Sequence, residues 1–237
     1  MRPRRSSGHR DSTTAEPPIT CPSEWATSTS TRCRCVGAGV DTVTPCISNR
    51  IQPPILLHVF GLFGGTFDPP HVGHLAVANA AIEQLDIDRV VWVPAGEPWQ
   101  KAEIAVTDPQ HRMAMVRLAA AEDARFVVDD IEIRRTGPSY TIDTVTELGG
   151  RCMLILGTDA AAAIPTWRGG SELLEMVEIA VVPRPGTLVA QVEEALDRTV
   201  HGLEMPTIEL SGTRLRDHVR AGHSPRYLLT DAVCDYI

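Results

Sequence analysis

The segment GGTFDPPHVGH, residues 64–74, concentrates the residues most able to do chemistry. Gly64 and Gly65 let bare backbone approach a ligand, and the helical pattern that follows aims its first amides at the same space. Such a turn suits phosphate. His71 and His74 stand three apart, share one face at the start of that helix, and carry ring nitrogens that donate to phosphate oxygens. Two other readings stay open on these residues alone. The turn joins a strand to a helix with no further duty, or the pair holds a metal ion, although the Glu of an H-E-x-x-H site is absent. Further along, SGTRLR (211–216) places Ser211 to cap a helix and Thr213 in its first turn, so that hydroxyls and unpaired amides face a phosphate, with Arg216 close behind. Its plain alternative is a capped helix with surface arginines.

Charge narrows the partners. Of 237 residues, 22 are Lys or Arg and 30 are Asp or Glu, and the net charge of −8 argues against a general nucleic-acid surface. No apolar run approaches the roughly 18 residues that cross a bilayer. The basic residues are all Arg except Lys101, and that lone exception sits in a polar loop, which points to a duty rather than to solvation. Residues 1–55 hold seven Arg against Asp11, Glu16, Glu24 and Asp41, a charge of +3, and the remaining 182 residues carry −11.

This first stretch is rich in Ser, Thr and Pro and has no amphipathic period. Residues 1–54 therefore read as a disordered tail ahead of one domain over 55–237. The tail lacks the apolar centre of an export signal and fits a transit peptide only loosely. Its abrupt end at Ile55 also fits upstream sequence read through from an early start codon, with natural initiation near Val59. The intact mass of the protein from its own cell decides between the two. Cys21, Cys33, Cys35 and Cys46 lie in the tail with no C-x2-C pair and no nearby His, which fits reduced thiols in the cytoplasm better than a zinc site.

The elements that must position these residues alternate. ILLHVFGLF leads as a strand into the glycine turn, and Leu75, Ala78, Ile82 and Leu85 recur at helical spacing behind it. RVVWVPA reads as a buried strand, and 95–106 as a polar loop. Thr107-Asp-Pro-Gln110 opens a helix as a capping box with an early Pro. FVVDDIEI reads as a strand, the residues through Ile142, Val145 and Leu148 as a helix, and CMLIL (152–156) as a strand ending in Gly157-Thr-Asp159. A helix, the strand EIAVVPR, another helix and a strand near 206–210 follow, and the next helix starts after Ser211. This predicts an α/β fold: a Rossmann-like, doubly wound, mostly parallel sheet in a single domain. Ligands in such sheets bind at the carboxyl ends of the strands, where Gly64–His74, Pro98–Lys101, Gly157–Asp159 and Ser211–Arg216 all fall.

GGTFDPPHVGH resembles the signature of nucleotidyltransferases with an HxGH motif. The ordered set that continues through PWQK (98–101), PSYTIDT (138–144), GTDA (157–160), PTW (165–167) and SGTRLR resembles bacterial nicotinate-nucleotide adenylyltransferases in particular, over about residues 56–237. The resemblance implies transfer of AMP from ATP to nicotinate mononucleotide, giving nicotinate adenine dinucleotide and pyrophosphate in NAD biosynthesis. It implies Mg2+ bound through substrate phosphates, with no metal ligand from the protein. The partners are then ATP and nicotinate mononucleotide in the cytoplasm, with no nucleic acid and no membrane, and a homo-oligomer stays open.

By the same resemblance His71, His74, Lys101 and Arg216 carry the catalysis by binding phosphates. Gly64, Gly65, Thr66 and Phe67 line the ATP site with Ser211 and Thr213, and Gly157 and Asp159 lie near the adenosine ribose. Trp167 stacks on the pyridine ring, Tyr140 and Thr141 shape that pocket, and Arg112 is a further phosphate candidate. Two positions depart from the pattern: Gln100 stands where many relatives have His, and Gly212 where they have Ser, which removes a hydroxyl. Competing assignments are an adenylyltransferase for nicotinamide mononucleotide or another phosphate acceptor, and a nucleotide-binding sensor without catalysis.

Overall fold

The computed structural model describes residues 59–98, 106–184 and 186–237. Strand β1 (Phe60–Gly65) is central and runs parallel to β2 (Val90–Pro94) on one side and β4 (Cys152–Gly157) on the other. β3 (Phe126–Val128) flanks β2, β5 (Val177–Val182) flanks β4, and the two-residue β6 (His201–Gly202) closes the far edge, all parallel in the order 3-2-1-4-5-6. This is the doubly wound arrangement expected, and the order reverses between β1 and β4.

Alternation along each strand divides the core between two faces. Phe60, Leu62, Val91, Val93, Leu154 and Ile179 point to one, where they pack on residues of α4 (Thr141–Leu148), α5 (Thr158–Ala162), α6 (Gly170–Met176) and α7 (Val189–Leu196). Phe63, Val90, Trp92, Met153, Ile155 and Ala180 point to the other, against Ala78 and Ala81 of α1 (Val72–Gln84) and Val116 of α2 (Pro109–Ala120). Full burial of each large apolar side chain contributes roughly 2 kcal/mol. A third cluster joins Met115 and Ala119 of α2 to Leu215 of α8 (Gly212–Arg220) and Val233 of α9 (Asp231–Tyr236), and so carries SGTRLR toward the sheet. Among the described residues no helix is long and apolar enough to cross a membrane.

Three local expectations are corrected. FVVDDIEI is not one strand: β3 ends at Val128, the Asp129 carboxylate accepts the Ile131 amide at 2.9 Å, and the chain turns into the short α3 (Ile131–Arg134). The strand near 206–210 is irregular chain. Pro206 has no N–H for a ladder, and the pairing with β5 is made earlier, at His201 and Gly202. Asp108 rather than Thr107 caps α2, its carboxylate accepting the Gln110 amide at 2.8 Å with Pro109 behind it.

Candidate active site

At the reversal of strand order the carboxyl ends of β1, β2 and β4 enclose a cavity of about 190 Å3, floored by Leu62, Val93, Leu154 and Leu156. Gly64, Gly65 and Thr66 form its inner rim. A Cβ at Gly64 would meet nothing within 4 Å, so the end of β1 offers bare backbone to whatever enters. Phe67, at φ 48°, folds its ring back within 3.0 Å of the Cβ position of Gly65 and is 2% exposed.

The two histidines follow that turn, at the start of α1, and neither is among the residues lining the cavity. His71 is the N-cap of α1, and its backbone N–H donates to Nδ1 of His74 at 3.1 Å. Accepting there requires an unprotonated Nδ1, so His74 carries its proton on Nε2. The two rings stack with centroids 3.7 Å apart, and a Cβ at Gly73 would lie 3.0 Å from the His71 ring, which is the steric reason for glycine within HxGH. Behind them Phe67 and Phe63 meet His74 at 5.0 and 6.0 Å, and Trp92 closes the aromatic wall. His71 is buried, and burial, helped by the nearby Arg184 charge, lowers its pKa to about 4. It is therefore neutral at pH 7, and its buried Nδ1 has no hydrogen-bond partner among the described residues.

SGTRLR reaches the same place across 148 residues of sequence: Arg216 donates from Nη1 to the Asp68 carbonyl at 2.7 Å, and its guanidinium lies 3.4 Å from the Asp68 carboxylate. That carboxylate also accepts the Thr107 amide at 3.2 Å, so buried Asp68 fixes the turn. Ser211 caps α8 by accepting the Arg214 amide at 3.3 Å, and Thr213 Oγ1 accepts from Arg216 Nη2 at 3.4 Å. A Cβ at Gly212 would come within 2.4 Å of the Asp68 carbonyl oxygen. The missing hydroxyl is thus also a missing obstruction that lets α8 start against the histidine turn.

Residues 62–218 match the cytidylyltransferase-like family. The chain is 42% identical over 179 residues to a probable nicotinate-nucleotide adenylyltransferase of Frankia alni, covering 73% of this chain and 94% of the relative. A protein of the same name from Roseiflexus sp. is 42% identical over 186 residues, covering 75% and 94%. The chain belongs to the nicotinate-nucleotide adenylyltransferase family. Its fold is also that of the Plasmodium falciparum nicotinic acid mononucleotide adenylyltransferase solved with NaAD, at a TM-score of 0.63, 18% identity, and coverage of 76% of this chain and 94% of that one.

Among the residues that resemblance to this family singles out, Tyr140, Thr141 and Trp167 all line the cavity with Gly64, Gly65 and Thr66. Gly157 caps α5 at the end of β4, and Asp159 lies exposed beside it, 3.7 Å from Arg184. Lys101, with Trp99 and Gln100, lies outside the described residues, as does the tail. Arg112 departs from expectation. It is completely buried, and Nε, Nη1 and Nη2 donate to the carbonyls of Thr107, Thr66 and Gly96 at 2.8, 3.0 and 2.9 Å. With no exposed surface it braces three loops of the site and does not offer itself to phosphate.

Sequence reasoning missed four residues. Arg184, at the end of β5, donates its amide to Thr158 Oγ1 at 3.1 Å and brings its charge near His71. The sign was in EIAVVPR, an arginine closing a predicted strand. Glu132 and Ser139 line the cavity, and Ser139 Oγ accepts the Gly96 amide at 3.0 Å. Glu132 fell inside the supposed strand FVVDDIEI, which hid it. Arg168 follows Trp167 directly, and its guanidinium lies 4.6 Å from the Tyr140 ring centroid. Cys152 offers no nucleophile, since burial pushes its thiol up to about 11.

Proposed function

We propose that this chain joins the AMP part of ATP to the phosphate of nicotinate mononucleotide, in the cytoplasm, to form nicotinate adenine dinucleotide. The observation that carries this reading is the convergence of the histidine turn, the cap of α8 and an aromatic-lined cavity on one end of β1. A phosphate oxygen of the mononucleotide attacks the α-phosphorus of ATP in line. The new P–O bond forms as the bond to the β-phosphate bridge breaks, and pyrophosphate leaves with that electron pair. No protein nucleophile is needed, so positioning and charge neutralisation do the work.

His74 donates from Nε2 to a phosphate oxygen, and neutral His71, stacked on it, keeps that ring in place and adds a second ring nitrogen. Arg216 and Lys101 supply positive charge, and the cap of α8 with Ser211 and Thr213 supplies donors. Asp159 accepts from ribose hydroxyls, and the pyridine ring lies against Trp167 beside Tyr140 and Thr141. Among the described residues no group of three His, Cys, Asp or Glu gathers to hold a metal. Mg2+ bound through the phosphate oxygens of ATP would neutralise charge there.

The test is pyrophosphate release by purified protein given ATP and Mg2+ with nicotinate or nicotinamide mononucleotide. The acid is the better substrate. Equal or better use of the amide refutes the assignment, and ATP binding without pyrophosphate release from any mononucleotide leaves a sensor instead.

A further inference from the structure

Among the described residues the cavity is lined by apolar, aromatic and hydroxyl side chains and by two ionisable residues, Glu132 and Arg168. Glu132 is 8% exposed, and its carboxyl is held by the Thr144 hydroxyl at 2.7 Å and by that of Ser139. It cannot swing out to water without breaking the network that fixes the Ser139–Thr144 segment. Arg168 lines the cavity with its guanidinium carbon over the Tyr140 ring, 4.6 Å from the centroid, a cation–π contact, and with Nη1 3.4 Å from the Asp143 carboxylate. Its side chain is 60% exposed.

These placements matter because the two candidate acceptors differ in one charge. Both have a pyridinium ring, and only the acid carries a ring carboxylate. Glu132 is buried and hydrogen-bonded, burial favours its uncharged form, and it offers no positive charge to a ring carboxylate. Arg168 offers that charge, since it is the cation among the described residues that line the same space, and its guanidinium rests against Tyr140, itself part of the wall. We infer that Arg168 is a specificity-determining residue, which selects the acid over the amide by placing a guanidinium against the ring carboxylate. This inference rests on the activity proposed above. Asp143 competes for the same guanidinium and tempers the preference.

The test measures kcat and KM of wild type, Arg168→Gln, Arg168→Lys and Asp143→Asn with both mononucleotides, and binding of each mononucleotide by calorimetry. Because Arg168 is largely exposed, solvent screening limits the expected effect to about tenfold. Arg168→Gln lowers the acid-to-amide ratio of kcat/KM by about that factor, through KM and Kd for the acid, and leaves KM for ATP unchanged. Arg168→Lys keeps the charge without the guanidinium and falls between. Asp143→Asn raises the ratio, and 0.5 M NaCl lowers it in wild type but not in Arg168→Gln. Wild type that uses neither mononucleotide overturns the proposed activity, and this inference with it. Wild type that prefers the acid, with Arg168→Gln keeping the full preference or Asp143→Asn losing it, overturns the role of Arg168 alone.

Discussion

His71 makes the fold acid-sensitive by an amount that the structure sets. Its pKa is lowered from 6.5 to about 4, chiefly by burial and secondly by Arg184. The unfolded chain therefore binds a proton at His71 at pH values where the native chain does not, and stability falls as pH falls through 6.5 toward 4. Linkage with those two values gives a loss of about 2 kcal/mol between pH 7 and pH 5, and about 3 kcal/mol once pH is below 4. That is a large share of a typical stability of roughly 5–15 kcal/mol. The assay is urea denaturation at pH 7.0 and 5.0 for wild type and His71→Asn, which cannot titrate. Other groups titrate in both proteins: Glu132, whose pKa is raised by burial, gives a stability change of the opposite sign, and Asp123 one of the same sign. Subtracting one protein from the other isolates the histidine. Wild type should lose about 2 kcal/mol more than His71→Asn across that interval. Equal losses would show that the His71 ring is solvated and protonates as in the unfolded chain, and the stacked, neutral pair would be wrong.

His74→Ala should lower pyrophosphate release at least about a hundredfold while costing roughly 1 kcal/mol of stability, the worth of the lost cap on the His71 amide; unaltered turnover removes His74 from the catalytic group. Arg112→Met leaves the carbonyls of Thr66, Gly96 and Thr107 without their donors and should cost about 3–5 kcal/mol by urea titration. A change below about 1 kcal/mol would contradict the brace. Two glycines should part company. Gly64→Ala meets open space, so stability stays within about 0.5 kcal/mol while substrate KM rises; Gly212→Ala presses a methyl on the Asp68 carbonyl and should cost about 1–3 kcal/mol, with turnover falling as α8 shifts. Melting curves and initial rates on both variants decide it.

The alternation of β-branched runs with helical spacing carried the fold, because a sheet buried on both faces leaves its strands as short apolar runs such as VVWVP and CMLIL. It failed where a local side chain outcompeted the pattern. Val127-Val128 and Ile131-Ile133 look like one strand until Asp129 turns the backbone, and an apolar count is blind to that bond. The candidate site was legible as motifs, since glycine, histidine and a capping serine mark strand ends and helix starts. Arg112 was not, because a buried arginine bonded to three carbonyls and a phosphate-binding arginine are the same letter in a sequence. Burial alone separates them.

The charge balance is resolved by the same distinction. An acidic chain that binds two phosphorylated substrates needs its cations held at one end of the sheet. The structure holds them by oxygens already in place: Arg216 on the Asp68 carbonyl and carboxylate, Arg184 beside Asp159, Arg168 beside Asp143. Arg184 and Arg168 each face one exposed carboxylate, whereas Arg216 is held more firmly, by the carbonyl and the buried carboxylate of Asp68 together. The carboxylates that make the chain acidic overall are in part what orders its arginines. Adding acidic residues far from β1 should therefore leave ATP affinity nearly unchanged at physiological salt, where the Debye length is about 8 Å, whereas Asp68→Asn should loosen Arg216 and weaken it.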